Sequence, residues 1–263
     1  MIEIGTWLDG IPVWGVGLGL IIAFALAAEL GFVVHRKFGR DGKTGEANDE
    51  GQVLSTALLL LALLIGFTFS MALGRFDDRR AQVVQEANDI GTAWLRAGLA
   101  DNAAGKALQG KLADYAATRI APAAGTPQHY AEVKAEGDRL RDEIWTLTTA
   151  AISPDRSTAQ AAALVSAVNA VLDTATTRET AIDARVPAKV IVLLMLYATV
   201  SAFLLGYVLG AYGSHHRGAT TLLFILLAMT ITIILDLDRP RDGGIKVSQQ
   251  AMIDLVADLK APR

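Results

Sequence analysis

Residues 53–73 read VLSTALLLLALLIGFTFSMAL, 21 positions without a charged side chain. A helix needs about 20 apolar residues to cross roughly 30 Å of hydrocarbon, so this run alone is long enough to span a bilayer. Three further runs lie outward from it. Ile11 to Val34 contains one acid, Glu29, and is preceded by Glu3 and Asp9 but by no Lys or Arg. A cleaved signal peptide would carry a basic n-region there, so the run is expected to persist in the mature protein. Val190 to Tyr212 is uncharged and follows Pro187, a residue suited to a helix start. Ala219 to Leu235 is shorter and sits at the low limit for a span. The expected fold class is therefore all-α: a polytopic membrane protein with four transmembrane helices, near 11–34, 53–73, 190–212 and 219–235. A helical extramembrane domain would lie between the second and third. The expected organisation is an N-terminal transmembrane pair (1–73), a water-exposed domain (74–186), a C-terminal transmembrane pair (187–235) and a tail (236–263).

Composition points the same way and removes several kinds of chemistry. Of 263 residues, 52% are hydrophobic and 19% charged, against about 25% charged in soluble domains. The absence of cysteine excludes disulfides, a thiol nucleophile and Cys-ligated zinc or iron. A net charge of -3, with arginines interleaved among acids, leaves no basic footprint for phosphates, so no nucleic-acid partner is expected. Phosphate loops, dinucleotide glycine fingerprints and His-Glu-x-x-His motifs are missing. His215 and His216 are adjacent in a short loop, but no third ligand is evident and interfacial polar residues are the better reading. No cofactor, no metal and no enzymatic activity is expected.

The middle of the chain is helical by periodicity. Val83, Ala87, Ile90 and Trp94 recur at spacings of four, three and four, one face of a helix continuing the second span. That helix is expected to break near Asp101 and Asn102. Leu108, Leu112 and Tyr115 outline a second helix, and Val133, Leu140, Ile144 and Leu147 a third. After the Ser153-Pro154-Asp155 turn, Leu164, Val168, Val171 and Ala175 mark a fourth. Gly15 with Gly19, and Gly206 with Gly210, have the small-xxx-small spacing that lets helices approach closely in lipid.

Charges at the membrane are costly and so informative. Glu29 lies within its span near Arg36, where a structural ion pair or interfacial placement competes with a role in ion passage. Asp236 and Asp238 end the fourth span, where the helix dipole disfavours anions, and need compensation. Arg239 and Arg241 are the nearest candidates, with a cation or gating contact as the alternative. With the termini inside, eight basic residues (Arg75, Arg79, Arg80, Arg178, Arg185, Arg239, Arg241, Lys246) would be cytoplasmic, against five outside (Arg36, Lys37, Arg40, Lys43, Arg217). The short first loop, which holds four of those five, argues for the reverse. We take the termini and the middle domain as cytoplasmic.

Leu63-Leu64-Ile65-Gly66-Phe67, followed after seven residues by Arg75-Phe76 and then Asp77-Asp78-Arg79-Arg80, Glu86, Ile90 and Gly91, resembles the pore helix of bestrophins, a family of pentameric anion channels. Across nearly its whole length, including Leu235-Asp236-Leu237-Asp238-Arg239-Pro240 and Gly243-Gly244, the chain also resembles a bestrophin-like family of bacterial membrane proteins. The resemblance implies a pentamer in the bacterial inner membrane passing small inorganic ions, chloride among them. It places a hydrophobic neck on Leu59, Leu63 and Phe67, with Gly66, Arg75, Phe76, Arg79 and Arg80 on the pore helix and at its cytoplasmic mouth. Asp77 departs from the pattern, standing where the family has its second aromatic. The acidic calcium-binding cluster of animal bestrophins has no counterpart, so calcium gating is not implied. A second class of function remains open: a non-conducting membrane scaffold or sensor acting through its helical middle domain.

Overall fold

The uncharged run at 53–73 does not stop at the length of a bilayer. It forms the centre of a helix from Thr44 to Gly98, 55 residues, or about 80 Å at 1.5 Å per residue. The computed structural model describes residues 11–38, 44–120, 127–153, 156–213, 216–240 and 243–261, and among them every regular element is a helix. In chain order these are α1 (Val13–Phe38), α2 (Thr44–Gly98), α3 (Ala103–Thr118), α4 (Pro127–Ala151), α5 (Ala159–Asp183), α6 (Ala188–Ala211), α7 (Arg217–Asp238) and α8 (Gln250–Lys260). Four helical stretches are long and apolar enough to cross a membrane: α1, α2, the stretch whose apolar part is α6, and α7. The fourth is longer than its apolar run, since α7 extends to Asp238 and takes both terminal aspartates into its last turn.

The chain divides into two compact units, 1–75 with 185–246 and 76–184 with 247–263. In the first, α1 packs on α6 and α7. Phe24 is fully buried and its ring meets Phe224 at 6.0 Å, while Leu194, Ala198, Ile231 and Ile234 complete the covered surface. Glycine sets the separation of α1 and α6. A Cβ on Gly206 would collide with the Ala28 carbonyl, one on Gly31 with the Phe203 carbonyl, and one on Gly210 would lie 2.9 Å from the His35 Cβ. The Gly206–Gly210 spacing is thus a contact surface within the chain. Among the described residues Gly19 faces open space and a Cβ on Gly15 would meet Ile11 and Pro12 of its own helix start, so that pair brings no other described helix close.

The second unit has its own core. The periodic positions of the sequence supply it: Val83, Ala87 and Ile90 from α2, Leu108, Leu112 and Tyr115 from α3, Leu140 and Ile144 from α4, and Leu164, Val168, Val171 and Ala175 from α5. The breaks between these helices have local causes. Asp101 takes the left-handed conformation at φ 43°, and Asn102 caps α3 by accepting from the Gly105 N–H at 2.8 Å. Thr158 caps α5 through the Ala161 N–H in the same way. The segment read as a tail contains α8, whose Met252, Leu255, Val256 and Leu259 share one face by their spacing of three, one and three and join the core of this unit.

Candidate functional site

The long helix α2 has one covered edge and one open one. Leu54, Leu61, Thr68 and Ala72 are buried. At about 100° per residue, Leu61, Thr68 and Ala72 fall within about 40° of Leu54 around the helix axis. By the same count Leu59, Leu63 and Phe67 lie about 140°, 180° and 220° away from it, on the opposite side. They are 70%, 54% and 66% exposed. Large apolar side chains in a membrane-length helix are thereby turned away from the chain's own packing. Gly66 shares this open side, and a Cβ there would meet nothing within 4 Å.

The residues placed at the mouth of the pore helix separate. Arg75, Phe76 and Arg79 fall on the covered side of α2, and Arg79 is only 3% exposed. The Arg75 Nε is buried and has no hydrogen-bond partner among the described residues. Arg80 stays exposed on the flank.

Glu29 on α1 faces Arg217 of α7, with Oε1 3.4 Å from Nε, at a cleft of about 80 Å³ also bounded by Phe32, Leu209, His216 and Phe224. The sequence pointed to Arg36 as its neighbour. Arg217 arrives from another helix instead, and because both side chains are well exposed the pair contributes at most about 1 kcal/mol. Asp236 and Asp238 are nearly buried and held by backbone. Asp236 accepts from the Gly244 N–H at 2.7 Å and the Ile245 N–H at 2.9 Å, and Asp238 accepts from the Val186 N–H at 2.7 Å. Arg239 donates to the Ile11 carbonyl at 2.8 Å. Gly243 makes the turn possible, since a Cβ there would lie 2.8 Å from the Asp236 carbonyl oxygen. Arg241 and His215 lie outside the described residues. Among the described residues no group of three or more His, Asp or Glu could hold a metal ion.

Periodicity had passed over one constellation. Glu86 of α2 is fully buried and accepts from the Tyr115 hydroxyl at 3.2 Å, Arg119 Nε at 2.7 Å and Arg178 Nη1 at 2.5 Å. Arg178 also donates to the Arg119 carbonyl and, at 2.8 Å, to Gln249 Oε1 next to α8. Burial pushes the Tyr115 phenol above its ordinary value, so it stays a donor. The signal was present in the sequence: Glu86 sits between Val83 and Ile90 on the core face of its helix, where a carboxylate demands partners. The group ties α2, α3, α5 and the start of α8 together.

A family model for the bestrophin-like domain matches residues 21–252. No curated protein and no solved structure matches the chain.

Proposed function

The chain belongs to the bestrophin-like family, and on that premise we propose that it assembles as a ring in the bacterial inner membrane and passes small ions passively through an axial pore lined by α2. Leu59, Leu63 and Phe67 form the neck. The carrying observation is their position: they are strongly exposed on the side of α2 opposite its buried edge. In a ring of copies, one such side chain per subunit at each level makes three apolar constrictions, from which water and ions withdraw until the pore widens. Five copies is the number that the resemblance implies. The polar helices around the Glu86 cluster would be cytoplasmic, as would the termini, because four crossings return the chain to the side it left.

The test is ion flux into proteoliposomes holding equal amounts of folded protein. Replacing Leu59, Leu63 and Phe67 by Ala should raise flux several-fold, since shorter side chains widen the constriction and weaken dewetting. Leu193, Leu196 and Val200 are exposed on α6, and the same trimming there should leave flux unchanged. Equal flux from all three proteins, or none from any, would remove the pore and leave a scaffold or sensor acting through its helical unit.

A further inference from the structure

We infer that Asp77 makes this pore prefer small monovalent cations over anions, an inference that rests on the pore reading above. The open side of α2 continues beyond the neck. Continuing at about 100° per residue from Leu63, the same strip runs through Ser70, Gly74, Asp77, Ala81, Gln85 and Asn88, all within about 40° of Leu63 around the axis and all six exposed. Small and polar side chains succeed large apolar ones there, as a wetted channel beyond a dry neck requires. Asp77 is the sole ionisable residue among the six, and it makes no hydrogen bond or ion pair among the described residues. Two of the three nearby arginines point elsewhere. Arg75 and Arg79 lie on the covered side of the helix, each about 160° around the axis from Asp77. Asp78 and Arg80 flank the strip on either side and carry opposite charges, so they offset one another. If the neck faces an axis, Asp77 faces it too, two to three turns further along one continuous helix. A ring then carries one carboxylate per subunit at the level of Asp77. Such a ring concentrates cations and repels anions at the place where ions enter or leave the constriction.

The expected selectivity is thus opposite to the chloride that the family resemblance implied. The experiment is a reversal-potential measurement in planar bilayers or dye-loaded proteoliposomes under a KCl gradient. Wild type should reverse toward the potassium equilibrium potential. Asp77→Asn should lower the K⁺/Cl⁻ permeability ratio roughly tenfold, the low end of the concentrating effect of a cleft lined by one charge. Asp77→Glu should keep the ratio, and Asp78→Asn should change it little. The preference should also weaken from 0.1 M to 1 M salt, as the screening length falls from about 10 Å to about 3 Å. Conductance that reverses toward the chloride potential, or an Asp77→Asn protein as cation-selective as wild type, overturns the inference while the pore stands. Absence of conductance from wild type and from the Leu59, Leu63 and Phe67 alanine variant overturns both.

Discussion

Glu86 is fully buried and is the shared acceptor of its cluster. Its carboxylate neutralises two guanidinium groups that are themselves largely covered, with side-chain exposures of 15% for Arg119 and 5% for Arg178. Removing one partner from a buried ionic group strands the others, which typically costs about 3–5 kcal/mol. Glu86→Gln is accordingly expected to lower the melting temperature of the detergent-solubilised protein strongly. Tyr115→Phe loses only one of the three donors to Glu86, a cost of about 1 kcal/mol. Thermal melting followed by circular dichroism orders the two variants. A Glu86→Gln protein as stable as wild type would mean that the arginines find other acceptors, among them Glu179, at 3.6 Å from Arg119.

At the scale of elements, glycine decides which helices can touch. α1 and α6 approach until the backbone of one meets the Cα of the other, because Gly31 and Gly206 present no side chain at the crossing. Gly206→Ala must push the helices apart or shift their register, and overpacking of this kind costs about 1–3 kcal/mol. Gly19 faces open space, so Gly19→Ala should be neutral or slightly stabilising through helix propensity. Comparing the melting temperatures of these two variants with wild type checks the contrast. An equal loss at Gly19 would show that a neighbouring copy covers that face of α1. The two glycine pairs have identical spacing in the sequence and differ only in what lies across from them.

For the whole molecule, the relevant number is how many copies associate. The open side of α2 combines Leu59, Leu63 and Phe67 with the polar strip beyond them, and a ring gives that mixed face a common axis. An interface between unlike surfaces either closes into a ring or continues as a filament. Native mass spectrometry of the protein in mild detergent should therefore show one closed stoichiometry, five copies on the family resemblance. A monomer in every mild detergent would remove the axial pore, and the cation preference with it.

The sequence by itself determined the helices up to Asp238, though not α8, together with the four apolar stretches and most of the core of the second unit. Those depend on runs and periodicities within one segment: Leu108, Leu112 and Tyr115, or Leu164, Val168 and Val171, are buried where their spacing placed them. Family membership was legible for the same reason, in the local pattern around Gly66-Phe67 and Asp236 to Gly244. Partners were not legible. Arg178 reaches Glu86 across 92 positions of the chain, Arg217 and not Arg36 meets Glu29, and backbone N–H groups of the following turn satisfy Asp236. Which edge of α2 is covered, and hence that Leu63 and Asp77 share an open side while Arg79 is buried, follows only from tertiary packing. Periodicity tells which residues share a face of a helix, but what that face meets depends on segments far away in the chain.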